Sequence, residues 1–240
     1  MKYAVILAGG SGMRAGGDVP KQFQKLGGLP MLWWSVRAFH NEDSSTRIRI
    51  VMHPGFFDLW DILWSELSED DRKIEYELVC GGRSRLESVK NGISAIPDHT
   101  ENGKEEEILI AVHDAARPLV DIATIRKGWE MASVRKAAVP VVGMTDSIRL
   151  LLPDGSESLD RSRYVRVQTP QVFEAGLLKR AYGRELLPAM TDDASVVESA
   201  GMSVSLYDGS EINFKVTNPL DFVIADAIIE AEKEERNKLR

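Results

Sequence analysis

The chain has 240 residues, 43% hydrophobic and 28% charged, which fits a single globular α/β domain with a substantial core and excludes disordered and fibrous classes. Its formal net charge of −7 excludes a surface that coats nucleic acid, because such surfaces need a basic face to neutralise phosphates. Any anionic ligand must then be held by cations gathered locally in a cleft.

From the N-terminus, the apolar run over residues 3–8 reads as a strand and is too short for a signal segment or a membrane span. A cytoplasmic protein without a membrane partner is therefore expected. Further strands are predicted over 48–53, 74–80, 108–113, 137–142, 202–207 and 212–216, alternating with amphipathic helices near 31–40, 57–67, 85–96, 121–134, 174–186, 192–200 and 219–236. That alternation predicts a mostly parallel sheet flanked by helices, one domain over 1–240. Cys80, the only cysteine, allows no intrachain disulfide or zinc cage, points to a reducing compartment and reads as a small buried hydrophobe. In the last helix Asn218 is the expected N-cap and Pro219 the first helical residue, with a stripe of Leu220, Val223, Ile224, Ala227, Ile228 and Ala231 predicted to pack on the sheet.

Residues 144–168 break the alternation. The run Ile148-Arg149-Leu150-Leu151-Leu152, a Pro153-Asp154-Gly155 turn and a second extended stretch over 164–167 predict a protruding β-arm. Apolar residues on such an arm need a partner surface, which a second subunit would supply.

The first chemical signal is the turn Ala8-Gly9-Gly10-Ser11-Gly12-Met13-Arg14, where glycines let backbone amides approach phosphate oxygens. Gly10, Gly12 and Ala15 also satisfy the dinucleotide fingerprint, but the chain continues as loop to Pro20, and helix replaces the second strand that should end in an acidic residue. No P-loop string occurs. Arg14 and Lys21 on one glycine-rich loop, the latter stiffened by Pro20, suit a triphosphate whose charge shifts during transfer.

Together with Pro20-Lys21-Gln22, Gly81-Gly82, Arg85 and Ser88, this loop resembles the cytidylyltransferases of the methylerythritol phosphate isoprenoid pathway. So do His113-Asp114-Ala115-Ala116-Arg117-Pro118, Gln168-Thr169-Pro170-Gln171, Thr191-Asp192-Asp193-Ala194-Ser195 and Asn213-Phe214-Lys215-Val216-Thr217, in the family's order along nearly the whole chain. The resemblance implies a Rossmann-like sheet with a dimerising β-arm, a homodimer, CTP as donor with Mg²⁺ bound mainly through its phosphates, and 2-C-methyl-D-erythritol 4-phosphate as acceptor. By position, Ala8, Gly9, Gly10, Ser11, Gly12, Gly82, Arg85 and Ser88 are expected to hold the nucleotide. Arg14, Lys21 and Lys215 would surround the α-phosphate as the catalytic cations. Asp114, Arg117, Thr169 and Lys215 match acceptor-binding positions, and Ser147 and Arg161 match residues that reach the acceptor from the other subunit. Arg83 departs from the family's frequent acidic residue, and Ser147 from its usual threonine.

No general base is needed, because a phosphate monoester is already ionised near neutral pH, its second pKa being about 6 by analogy with phosphoserine. His113 is accordingly read as a packed or hydrogen-bonded residue at a strand end. Asp114, at a strand's carboxyl end where open α/β sheets place ligands, can accept a hydroxyl or orient a metal. Two alternatives are a ribitol 5-phosphate cytidylyltransferase and a non-catalytic nucleotide sensor, the latter disfavoured by the presence of both Lys21 and Lys215.

Overall fold

In the first strand, β1 (Lys2–Leu7), Tyr3 to Ile6 are all buried, as in a strand covered on both faces. Ala4 and Ile6 pack into one core and Tyr3 and Val5 into the other, the period of two that a pleated strand imposes. The structure, a computed structural model, describes residues 1–10, 19–98 and 107–238.

After β1 come a short hairpin of β2 (Lys25–Leu26) and β3 (Leu29–Pro30), then α1 (Met31–Glu42), β4 (Arg47–Met52), α2 (Phe57–Ser65), α3 (Glu69–Arg72), β5 (Tyr76–Cys80) and α4 (Arg85–Ser94). The second half holds β6 (Leu109–Asp114), α5 (Ile122–Arg135), β7 (Ala137–Gly143), β8 (Ile148–Leu152), β9 (Gly155–Leu159), β10 (Val165–Val167) and β11 (Gln171–Glu174). It closes with α6 (Ala175–Tyr182), α7 (Asp193–Ser199), β12 (Ser205–Asp208) and α8 (Pro219–Lys238). The central sheet runs β10-β7-β11-β6-β1-β4-β5 with β12 beside β7. β1, β4, β5 and β6 are parallel neighbours, β12 is parallel to β7, and only β10 and β11 run against their partners. α1, α2 and α5 cover one face through Leu32, Trp33, Trp60 and Trp129, and α4, α6 and α7 cover the other through Val89, Leu178 and Val196. The predicted α/β architecture is thus observed. Among the described residues no helix is long and apolar enough to cross a membrane.

Helix starts fix where the chemistry goes. Ser84, Asp121 and Asp192 cap α4, α5 and α7 by accepting from backbone N–H groups three residues on, and α7 has a full capping box with Ser195. Arg85 and Asp193 therefore open α4 and α7.

Five sequence expectations need correction. Residues 212–216 form no strand: the backbone of this segment is held by side chains of Lys21, Arg117 and Gln168 and by one bond to Ala116, leaving no ladder. β11 was not expected; its four residues, QVFE, are too few to show a period of their own. The arm exists as β8–β9, with Leu152 opposite Gly155, so its return leg is Gly155–Leu159; Val165–Val167 instead joins the central sheet beside β7. α8 packs Ala225 and Ile229 against Leu26 and Met31 rather than on the sheet, whose faces the other helices already cover, and Leu220, Val223 and Ile224 of its predicted stripe are exposed. Cys80 is exposed, because β5 is the edge strand of the sheet.

Candidate active site

The parallel strands β1, β4, β5 and β6 point their carboxyl ends the same way, and Ala8, Gly82, Arg85 and Arg117 follow those ends while Asp114 closes β6. At the end of β1 the ladder continues for one residue through Ala8 N–H to the Val51 carbonyl (2.7 Å) and then turns. Gln22, almost fully buried, donates its amide to the carbonyls of Ala8 (2.9 Å) and Gly10 (2.8 Å), clamping that turn from behind. Sequence reasoning placed Gln22 in the motif without giving it a task.

Ser88 joins the two glycine segments. Its buried hydroxyl accepts from Gly82 N–H (3.0 Å) and donates to the Ser84 carbonyl (2.9 Å). A Cβ on Gly82 would strike Glu87 Cγ at 2.3 Å, so that position needs glycine for close approach, while one on Gly9 would be in tight contact with the Ser88 oxygen at 3.2 Å. Glu87 in turn accepts from Arg83 N–H (2.7 Å). Ser88 thus shapes the turn, its hydroxyl turned toward the protein backbone. Ser11, Gly12 and Arg14 lie outside the described residues.

The second cluster lines a cavity of about 420 Å³ that collects Arg85, Asp114, Arg117, Thr169 and Lys215 together with Gln171 and Asp192. Asp114 is the hub: Oδ1 accepts from Arg85 Nε (3.2 Å) and Oδ2 from Lys215 Nζ (2.8 Å). Burial opposes its ionisation, but the charges of Arg85 and Lys215 outweigh that and hold its pKa well below the usual carboxylate range. Arg85, expected at the nucleotide, is also forked onto Asp193 at 3.1 and 2.8 Å; burial disfavours its charge, and the two carboxylates more than restore it. Burial lowers the pKa of Arg117, which donates to the carbonyls of Asn213 (2.8 Å) and Val167 (3.3 Å).

His113, fully buried, packs edge-on against Phe39 at 5.6 Å, as the packed strand-end reading requires. Burial drops its pKa to about 4, so the ring is neutral at physiological pH. Its Nε2 faces the Arg117 carbonyl at 3.2 Å and must carry the proton, since a carbonyl only accepts. Nδ1 then accepts from the Thr169 hydroxyl (3.1 Å), whose oxygen accepts from Asp114 N–H (3.1 Å). The one proton of the Thr169 hydroxyl is committed to His113, leaving its oxygen as an acceptor.

Segment 213–217 is where Lys21 meets the backbone next to Lys215. Lys21 Nζ donates to the Val216 carbonyl at 2.6 Å, Val216 N–H donates to the Ala116 carbonyl at 2.8 Å, and Asn213 Nδ2 donates to the Thr169 carbonyl at 2.9 Å. Ala115 N–H donates to the Leu7 carbonyl (3.1 Å), tying this cluster to the glycine turn. Ser147 and Arg161 are exposed near the base of the β8–β9 arm, Arg161 donating to the Thr145 carbonyl, and neither lines the cavity of its own chain. Among the described residues no group of three or more carboxylate, histidine or cysteine side chains could hold a metal ion.

Residues 2–231 match the family model described as "IspD: 2-C-methyl-D-erythritol 4-phosphate cytidylyltransferase". The protein of that name from Bacteroides thetaiotaomicron is 41% identical over 95% of this chain and 100% of its own length. One from Porphyromonas gingivalis is 38% identical over 95% of this chain and 97% of its own. The crystal structure of 2-C-methyl-D-erythritol 4-phosphate cytidylyltransferase from Thermus thermophilus superimposes with a TM-score of 0.70 at 28% identity, covering 95% of this chain and 98% of that one.

Proposed function

The chain belongs to the 2-C-methyl-D-erythritol 4-phosphate cytidylyltransferase family, and from that premise we propose how its own residues carry out the reaction. The enzyme transfers CMP from CTP to 2-C-methyl-D-erythritol 4-phosphate and releases pyrophosphate, a step of isoprenoid precursor synthesis. An oxygen of the acceptor's phosphate attacks the α-phosphorus, and the bond to the bridging oxygen of the β-phosphate breaks, so pyrophosphate leaves with the bonding electrons. Two anions must meet, which makes neutralisation and positioning the protein's task.

The observation that carries this reading is the convergence of Lys21 on the backbone beside Lys215, with Lys215 itself on Asp114. In our proposal Lys21, Lys215 and Arg14 stabilise charge around the α-phosphate. Ala8, Gly9, Gly10, Ser11, Gly12 and Gly82 shape the nucleotide side, with Ser88 behind them and Arg85 bridging toward the acceptor. Asp114, Arg117 and Thr169 receive the methylerythritol phosphate, with Asp114 and the Thr169 oxygen as hydroxyl acceptors and Arg117 as a cation. Both Asp114 oxygens are already engaged by cations, which does not fit a protein-held metal there; Mg²⁺ enters as the CTP complex, held by phosphate oxygens. Ser147 and Arg161 act on the neighbouring subunit's site in a homodimer joined through the arm. The enzyme works in the cytoplasm.

Incubation with CTP, magnesium and either methylerythritol phosphate or ribitol 5-phosphate, with pyrophosphate as the readout, tests the acceptor. Turnover with methylerythritol phosphate is expected. Preference for ribitol 5-phosphate, which the family assignment does not favour, or nucleotide binding without turnover, would overturn it.

A further inference from the structure

Asp193 is fully buried at the start of α7, yet none of the roles above uses it. A carboxylate with no access to water is costly to ionise unless it is paired and hydrogen-bonded on its lone pairs. Here both conditions are met: Arg85 grips it by Nη1 (3.1 Å) and Nη2 (2.8 Å), and the Tyr182 hydroxyl donates to Oδ1 at 2.5 Å. Burial and the adjacent Asp193 push the Tyr182 pKa upward, so that hydroxyl stays a donor.

The pair stands at one end of a line of alternating charge: Lys215, Asp114, Arg85, Asp193. Arg85 gives Asp114 only its Nε, at 3.2 Å, because its planar fork is occupied by Asp193. A guanidinium fork matches a carboxylate in bidentate fashion and is the stronger claimant over an ammonium ion. Without Asp193, the half-buried Arg85 keeps Asp114 as its carboxylate partner among the described residues and would turn its fork onto it. Lys215, whose side chain is 41% exposed, would then lose its place on Oδ2.

We propose that Asp193 is a positioning residue for the acceptor site: it occupies the fork of Arg85, so that Asp114 stays shared with Lys215 and keeps its orientation in the cavity. Tyr182 fixes Asp193 in turn. The inference rests on the reading of Asp114 and Lys215 as acceptor and α-phosphate residues.

Steady-state kinetics with each substrate varied in turn test it. Asp193→Asn keeps the shape and an oxygen for Tyr182 and removes the charge. It should raise KM for methylerythritol phosphate about tenfold and lower kcat, with KM for CTP changed less than about twofold, in line with a neutralised charge-assisted pair. A merely structural role would lower the active fraction and leave both KM values in place, or raise both together; either pattern overturns the proposal. A double-mutant cycle adds a second reading, because Asp193 acts through Asp114 here. The double variant Asp114→Asn, Asp193→Asn should be no worse than Asp114→Asn alone, and additive losses overturn the proposal. Should Asp193→Asn fail to fold, Tyr182→Phe carries the test: an acceptor KM raised about threefold with CTP KM unchanged is expected, and no change in either sinks the idea. Failure of the cytidylyltransferase reading itself would show separately, as absence of turnover by the wild-type enzyme.

Discussion

Mild acid should loosen the strand end that carries Asp114, and His113 sets the amount. Burial holds the folded-state imidazole at about 4, against an ordinary 6.5. In the unfolded chain the ring is in water and titrates near its ordinary value. Between the two values the unfolded chain binds a proton that the folded chain does not, so the contribution is complete above about 6.5 and falls as pH drops toward about 4. At 1.36 kcal/mol per pH unit, the loss on going from about pH 7.5 to about pH 5 is about 2 kcal/mol. That is a large share of the roughly 5–15 kcal/mol that stabilises a typical domain. Denaturant unfolding of the wild type and of His113→Gln at both pH values measures it, because carboxylates elsewhere titrate alike in the two proteins. The wild type should lose about 2 kcal/mol more than the variant. Equal pH responses would refute the reasoning, as would a His113 ring that titrates near 6.5 by NMR in the native wild type, a measurement that needs no substitution.

Lys21→Ala or Lys215→Ala should each lower kcat by about 10²–10³ at saturating substrates, the usual cost of one preorganised group that stabilises transition-state charge; pyrophosphate release measures it, and a variant with more than half of wild-type kcat removes that lysine from its role. Gln22→Leu leaves two carbonyls of the glycine turn without their donor, so KM for CTP should rise at least about fivefold while KM for the acceptor stays put, consistent with about 1–3 kcal/mol for each unsatisfied group. An unchanged CTP KM would show that the clamp does not shape the nucleotide side. Mixing inactive Lys21→Ala and Arg161→Ala proteins under subunit exchange should return roughly one quarter of wild-type activity, because a C2 heterodimer carries one intact site and one doubly damaged site. A verified heterodimer without activity argues that both residues serve one chain.

The sheet was readable because its strands are buried runs separated by amphipathic helices, and the helix starts because Ser84, Asp121 and Asp192 are capping residues. What could not be read was anything decided by distant contacts. Segment 212–216 alternates like a strand, yet the groups that hold it lie as far off as Lys21, 195 residues away from Val216. The Arg85–Asp193 pair spans 108 residues. Nothing local marks Asp193 as different from its neighbour Asp192, which caps the helix and faces the cavity. The face of α8 depended on which surface remained uncovered after the other helices had docked. Lys21 stood out with Arg14 on its glycine-rich loop, but only the family resemblance paired it with Lys215, since spacing alone gives no reason to bring the two together.

The way segment 213–217 is held has a consequence for how the protein tolerates change. A strand ladder is made of backbone groups that nearly every residue possesses, so the ladder bonds of β7 do not depend on which side chains it carries, although packing against its buried face still does. Besides one backbone bond to Ala116, the loop that carries Lys215 is tied to the rest of the fold by the amides of Gln168 and Asn213, the guanidinium of Arg117 and the ammonium of Lys21. The two parts of the molecule therefore depend on sequence in different ways: the ladder bonds of the sheet come from groups every strand residue shares, while the loop that carries Lys215 leans on a few particular side chains, whether or not they ever touch a substrate.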